Sequence, residues 1–244
     1  MESAGRILIF IEDGSYTFDN RVKREVGTLE GAGFRVSVIC PRYPGEPRYE
    51  LAGRTHVYRY PKWTFGGPVV AHLCEYACSF VFGGLLCLWV ALRRGFDVVQ
   101  LCNPPDVLFP IPAFFKLFGK KFIFDHHDLC PELFETQYGK RSGPLYRAPL
   151  GAERRTFRWA DAVLSTNESY RQVASERGGK RPETVTVVRN GPLLERYRSW
   201  PMLTDRKPVR VGYIGNMNPQ DGVDYLVRAA KHIVVDLKRQ DVEF

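Results

Sequence analysis

The chain lacks most of the short motifs that mark a metal, redox or dinucleotide protein. Its six cysteines, Cys40, Cys74, Cys78, Cys87, Cys102 and Cys130, contain no Cys-x-x-Cys pair. That spacing argues against a zinc ribbon or a thiol redox couple and predicts reduced, mostly buried thiols. No Gly-x-Gly-x-x-Gly turn follows the first apolar run, where the chain reads Glu12-Asp-Gly-Ser15, so a nicotinamide cofactor has no cradle there. There is no Asp-x-Asp triplet, internal repeat or low-complexity tract, and no aromatic-interleaved basic motif of the kind that grips nucleic acid. Nucleic acid is therefore not an expected partner. No secretory leader precedes the first strand, which sets a cytoplasmic expectation.

What is present is a globular composition: 244 residues, 44% hydrophobic and 13% aromatic, enough for a large core. The formal charge is +8, from 35 basic and 27 acidic residues, which favours an anionic partner such as a lipid head group or a phosphate-bearing ligand. Part of this excess is local. Lys140, Arg141, Arg147, Arg154, Arg155 and Arg158 stand against one acid, Glu153, and on a helix they form either a solvated basic face or a surface for anionic lipid. Residues 69–92 are largely apolar and nearly long enough to span a bilayer, but His72, Glu75 and the helix-weakening pair Gly83 and Gly84 interrupt them. With Trp63, Trp89, Arg93 and Arg94 as flanking anchors, the expectation is a buried helix or one lying peripherally at the inner face of a membrane.

Alternating periods set the fold class. Apolar runs at 6–11, 34–40, 55–60, 97–101, 121–124, 162–165 and 184–188 predict seven strands, separated by helical stretches such as 21–31, 107–118 and 168–177. This βαβ alternation predicts an α/β, Rossmann-like, doubly wound and mostly parallel sheet over residues 1–190. Residues 191–207 have no clear period and suggest a linker. Residues 208–244 supply one strand and one helix of a second Rossmann-like domain that is incomplete as written, since a single βα unit cannot cover its own apolar faces.

Three polar clusters follow strands whose carboxyl ends should share one sheet edge, where ligands of such sheets bind: Glu12 to Arg21, Cys102 to Asp106, and Asp125 to Glu132. Gly14 lets backbone approach a ligand, while Asp19 and Asn20 are candidate caps for the helix starting at Arg21. Arg21, read as exposed at a helix start against the dipole, calls for an anion. Asn103 joins the candidate lining. In the Asp125-His126-His127-Asp128 run three readings stay open: a metal site that adds Glu132, a structural network with Asp128 as helix cap, and direct substrate contact by one histidine.

Taken together, Phe18-Asp-Asn-Arg-Val22, Cys102-Asn-Pro-Pro-Asp106, Phe124-Asp-His-His-Asp-Leu-Cys-Pro-Glu132, Val188-Arg-Asn-Gly-Pro192 and Gly212-Tyr-Ile-Gly-Asn-Met217 resemble, in this order, the retaining GT-B glycosyltransferases of the family 4 type, in particular their bacterial polysaccharide-assembly members. The resemblance implies an N-terminal acceptor domain and a C-terminal nucleotide-sugar domain facing a cleft. It implies His127, with His126 as the fallback, as the catalytic position near the donor sugar; together with the strand-end loops above, Gly14, Asn20, Arg21, Asn103, His126 and Asp128 are the candidate substrate-binding residues. Gly215 and Asn216 would lie toward the donor phosphates. It also implies metal-independent transfer with no cofactor beyond the nucleotide-sugar, and a lipid-linked or glycan acceptor. The Arg and Lys pair and the Glu-x7-Glu element that the family carries in its C-terminal domain are not found in residues 208–244. That departure leads to the expectation of a truncated enzyme or, alternatively, an acceptor-binding or membrane-recruiting subunit completed by a donor-domain chain.

Overall fold

The computed structural model describes residues 4–63, 65–139, 143–191, 208–215, 217 and 221–244. The chain forms two compact units, Met1–Asn190 and Gly191–Phe244. In the first, eight strands run in the order β3-β4-β2-β1-β5-β6-β7-β8. They are β1 (Arg6–Phe10), β2 (Arg35–Arg42), β3 (Tyr49–Ala52), β4 (Thr55–Pro61), β5 (Val98–Cys102), β6 (Lys121–His126), β7 (Ala162–Ser165) and β8 (Val185–Val187). All neighbours are parallel except β3, which pairs antiparallel with β4. The expected doubly wound sheet is present, with β3 as an eighth, edge strand that periodicity did not reveal.

The strands are buried on both faces, which is why they read as continuous apolar runs. Side chains alternate between two cores: Ile7 and Ile9 join Val22, Val26, Val38 and Val57 on one face. Leu8 and Phe10 join Cys87, Phe96, Phe122, Phe124 and Phe157 on the other. Helix α1 (Asn20–Gly31) covers the first core. Its N-cap is Asp19, whose carboxylate accepts from the Val22 amide at 2.9 Å. The second core is covered by α3 (Gly84–Arg93), α4 (Pro110–Lys116) and α6 (Pro144–Trp159).

Residues 68–93 are helical throughout. Helix α2 (Pro68–Cys78) passes through a π turn at Ser79–Gly83 into α3, so the paired glycines do not break the helix. Gly83 is needed for contact rather than for flexibility: a Cβ there would lie 2.5 Å from Phe10 Cζ. Helix α5 (Cys130–Tyr138) and α7 (Glu168–Glu176) complete the first unit. The second unit pairs β9 (Val209–Arg210) with β10 (Val242–Glu243) in parallel and carries α8 (Val223–Lys231). None of its described residues is buried. Residues 192–207, expected as linker, lie outside the described residues.

Candidate active site

The chain leaves β1 toward β2 on one side and later returns to β1 through β5 on the other. Such a reversal opens a crevice beyond the carboxyl ends of the two strands, the usual ligand position in an open α/β sheet. The loops after β1, β5 and the adjacent β6 border it. Asn103 ties the last two together. Its Oδ1 accepts from the His127 amide (2.6 Å) and the Asp128 amide (3.1 Å), and its Nδ2 donates to the Asp128 carbonyl (2.7 Å) and to Asp106 Oδ1 (3.1 Å). Asn103 is buried and its amide is committed to these bonds, so the expected substrate contact is corrected to a scaffold role.

Strand β6 splits its ionisable residues between the two faces of the sheet. Asp125, fully buried, points toward α1 and meets Arg21 in a fork, with Nη2 to Oδ1 at 2.7 Å and Nε to Oδ2 at 3.3 Å. Arg21 Nη1 also donates to the Val188 carbonyl (2.7 Å), and Nε pairs with Glu25 (3.1 Å). Gln100 joins Glu25 (2.7 Å) to Asp125 (3.2 Å). The sequence expectation of an exposed Arg21 awaiting a phosphate is thereby corrected. Its side chain is 6% exposed, the Asp125 carboxylate already neutralises it, and Glu25 lies against its Nε. Burial by itself would raise the Asp125 pKa, but the hydrogen bonds and charges of His127 and Arg21 outweigh it and hold the group at about 2. Burial and the neighbouring Asp125 charge lift Glu25 to about 7 against the pull of Arg21.

His127 sits over this network with Nε2 2.7 Å from Asp125 Oδ2 and 2.8 Å from Arg21 Nε. One nitrogen cannot both donate to the carboxylate and accept from the guanidinium. Desolvation lowers the His127 pKa, but the hydrogen bond and charge of Asp125 raise it by more, so the Nε2–H donates to Asp125. This leaves Nδ1 directed away from the pair on a ring that is 18% exposed. His126 is the opposite case and corrects the second substrate-contact expectation. It is wholly buried on the other face, packed on Phe124, Phe157 and Tyr170 at centroid distances of 5.3, 5.0 and 5.4 Å. Burial, then the nearby Arg177, push its pKa down to about 3. Glu132 turns to Arg177, which also binds the buried Glu153 at 2.7 Å. Asp128 does not cap α5: the N-cap is Leu129, without a side-chain hydrogen bond.

At the mouth, the charge of Asp128 reaches Asp13. Burial raises the pKa of both; for Asp13 the Asp128 charge adds to it, while Lys62 and His127 act in the opposite direction. Lys62 binds Glu12 at 3.4 Å and Glu75 at 3.6 Å. Gly14 has φ +138°, a backbone conformation that favours glycine, with open space where a Cβ would be. Asn20 is exposed at the start of α1. Gly215 is exposed in the second unit, and Asn216 lies outside the described residues. Asp13, Glu25 and Gln100 were not singled out from sequence. Only Asp13 had a signal, its place in the first polar loop.

A metal fits poorly. Cys102, Asp125 and His127 bring ligand atoms within 4.8 Å of one another, but the Arg21 guanidinium already lies against two of them, and burial raises the Cys102 thiol pKa well above its usual value. The five-residue set considered from sequence is dispersed over both faces of the sheet. All six cysteines are free thiols, four of them buried.

The family model for Glycosyltransferase Family 4 matches residues 20–196, well over half of the chain. Among solved structures, sucrose-phosphate synthase from Thermosynechococcus elongatus superposes with TM-score 0.68 at 14% identity, covering 94% of this chain and 60% of that one. The catalytic domain of starch synthase IV from Arabidopsis thaliana gives 0.60 at 14% identity, covering 97% and 67%. Apo UGT2 of Phytolacca americana gives 0.57 at 11%, covering 93% and 61%. At these identities the likeness is one of fold, the Rossmann-like GT-B architecture, and the chain spans about three fifths of the sucrose-phosphate synthase and UGT2 chains. With the matched segment running from the start of α1 through the β6 histidines to beyond β8, the chain belongs to glycosyltransferase family 4.

Proposed function

We propose that residues 1–190 form the acceptor side of a retaining, metal-independent glycosyltransferase of polysaccharide assembly. It moves a hexosyl group from a nucleotide-sugar to a lipid-linked or glycan acceptor in the cytoplasm. The observation that carries this reading is His127: one ring nitrogen is fixed on a buried carboxylate and the other, at the switch-point crevice, has no hydrogen-bond partner among the described residues. A positioned imidazole of this kind holds a sugar hydroxyl in one orientation, which is where such a site gains rate. The starch synthase structure was solved with ADP and acarbose, which supports a nucleoside-diphosphate sugar as donor class.

In the proposed step the acceptor hydroxyl attacks the anomeric carbon on the face from which the diphosphate departs. The bond from that carbon to the diphosphate oxygen breaks, and the leaving oxygen takes the hydroxyl proton. No protein nucleophile is consumed. Asp13 and Asp128 at the mouth are placed to accept hydrogen bonds from acceptor hydroxyls. Donor contacts are assigned to the second domain, with Gly215 and Asn216 on its phosphate side. That domain is read as incomplete here because none of its described residues is buried.

The same observation favours one second reading, a non-catalytic acceptor-binding subunit completed by a separate donor-domain chain. Transfer of labelled sugar from a panel of uridine, guanosine and adenosine diphosphate sugars to a membrane lipid extract separates them. The enzyme reading requires product from this chain or from a longer chain containing it, reduced about 100-fold by His127→Ala with the fold retained. The subunit reading requires product only when a distinct chain co-purifies.

A further inference from the structure

We propose that the outer face of the α2–α3 helix and of the helix layer beside it is a docking surface for an anionic lipid bilayer, with the helix lying in the membrane plane. Within this continuous helix, the 24-residue stretch Val70–Arg93 contains an 18-residue window of mean hydropathy 1.7, and only 28% of that window is buried. By length it meets the requirement for crossing a bilayer, but its inner face is fastened to the sheet. Cys78, Ser79, Gly83, Cys87 and Val90 are buried. Ser79 Oγ lies 3.1 Å from the Tyr60 hydroxyl and 3.2 Å from Glu12, and Gly83 abuts Phe10. A helix held in this way cannot leave the sheet to span a membrane.

The opposite face is apolar and open. Leu73, Val81, Leu85, Leu88 and Leu92 recur at helical spacing and are all exposed, Leu92 at 78%. The helix's single acid, Glu75, turns inward to Lys62, so no negative charge interrupts this stripe. Trp63 and Trp89 are exposed near its two ends, and Arg93 and Arg94 close it. Aromatic and basic anchors around an apolar stripe match the boundary between lipid head groups and acyl chains.

Two neighbouring helices extend the same layer, since α3, α4 and α6 bury their inner faces in one core. From α4 and the turn that follows it, Phe114, Leu117 and Phe118 are exposed. From α6, Arg147, Arg154, Arg155 and Arg158 are exposed while Glu153 is buried, so the basic stretch noted in the sequence presents only positive charge outward. Apolar and cationic surface in one layer is complementary to an anionic bilayer and less so to a second copy of the chain, whose equivalent face would oppose like charges. A cavity of about 620 Å³ between the helix and the sheet edge, lined by Tyr58, Phe82, Leu85 and Trp89 with Arg94 at its rim, opens beside the stripe and has the apolar lining that a lipid chain requires.

This inference deepens the lipid-linked acceptor reading, yet its test uses no sugar. Co-sedimentation of the whole chain is measured with vesicles of phosphatidylcholine alone and of phosphatidylcholine with about 30% phosphatidylglycerol. The chain is expected to bind the anionic vesicles at least about 10-fold better than the neutral ones. Leu85→Glu with Leu88→Glu, both outward, should lower binding by about 10-fold or more, while the far-ultraviolet spectrum and melting temperature stay those of the parent. Arg93→Gln with Arg154→Gln should remove much of the preference for anionic lipid and leave the folded chain intact. Absence of vesicle binding by the parent overturns the proposal, as does equal binding by the double glutamate variant. A dimer in sedimentation velocity that the glutamates dissociate, with no vesicle binding, assigns the face to a second copy instead and equally overturns it. Vesicle binding without any sugar transfer would overturn only the enzyme reading.

Discussion

Replacing Arg21 by methionine tests whether the polar centre beneath the crevice is held by this one guanidinium. The side chain is buried and makes the fork to Asp125, the pair with Glu25 and the bond to the Val188 carbonyl, which links α1, β6 and the end of β8. Methionine fills similar volume but leaves Asp125, wholly buried, without its cation. Breaking a buried pair by removing one partner typically costs about 3–5 kcal/mol. A second route gives a consistent scale. Asp125 is lowered from 3.8 to about 2. At 1.36 kcal/mol per pKa unit that is about 2 kcal/mol, shared between Arg21 and His127 before the Glu25 and Val188 contacts are included. The expected loss is about 3 kcal/mol at pH 7, a fall of about 6–12 °C in melting temperature for a domain of this size. The sign of the pH dependence is fixed. A carboxylate whose pKa is depressed on folding stabilises above its unfolded value and loses that contribution as pH falls. The gap between parent and Arg21→Met should therefore narrow as pH drops from about 4 toward 2. Adding Asp125→Asn to Arg21→Met should recover about 1 kcal/mol, because no unpaired charge remains buried. Urea unfolding monitored by circular dichroism reads all of these. A single variant within about 0.5 kcal/mol of the parent at pH 7, with a gap that ignores pH, refutes the argument.

Other expectations concern neighbouring groups. His126 is buried neutral with its pKa at about 3, so the unfolded chain takes up a proton below pH 6.5 that the native one does not. Stability should fall by about 2 kcal/mol from pH 6.5 to 5 through this group, and His126→Phe should flatten that limb of the unfolding profile. His127 behaves in the opposite sense: its pKa is raised, so its contribution is full below the unfolded value and is lost as pH rises through the native one. Nuclear magnetic resonance titration of the imidazole should show the His127 pKa falling in Asp125→Asn; an unchanged value would remove Asp125 as the group that fixes the ring. Gly83→Ala places a methyl 2.5 Å from Phe10 Cζ and should lower stability by about 1–3 kcal/mol. Calorimetry that finds Gly83→Ala neutral would mean that the helix is not seated on β1 as described.

The parallel strands were legible because burial on both faces writes them as unbroken apolar runs. Strand β3 was not, since Tyr49–Ala52 is a four-residue edge element whose side chains are at most half-buried. Adjacent histidines on a strand must point to opposite faces, so a single outward histidine was deducible. Which of the two it is follows from Phe124 and His126 sharing the core face. The environment of Arg21 was not deducible. Its partner lies 104 residues away, and a charged residue at a helix start reads locally as exposed. Asn103 misled for a related reason: a polar side chain at a strand end binds ligand or ties loops, and only the geometry of its hydrogen bonds decides. The apolar stretch at 69–92 was ambiguous between core and interface because it is one helix with a buried face on the sheet and an exposed apolar face opposite.

The central claim is that the crevice above β1, β5 and β6 serves sugar transfer through His127. The most direct measurement is single-turnover transfer of labelled sugar from a nucleoside diphosphate to lipid-extract acceptor, comparing the parent, His127→Ala and Asp125→Asn in the longest chain that contains these residues. The account predicts product with the parent, about a 100-fold slower rate for His127→Ala and an intermediate rate for Asp125→Asn. Transfer by His127→Ala at the parental rate would contradict it.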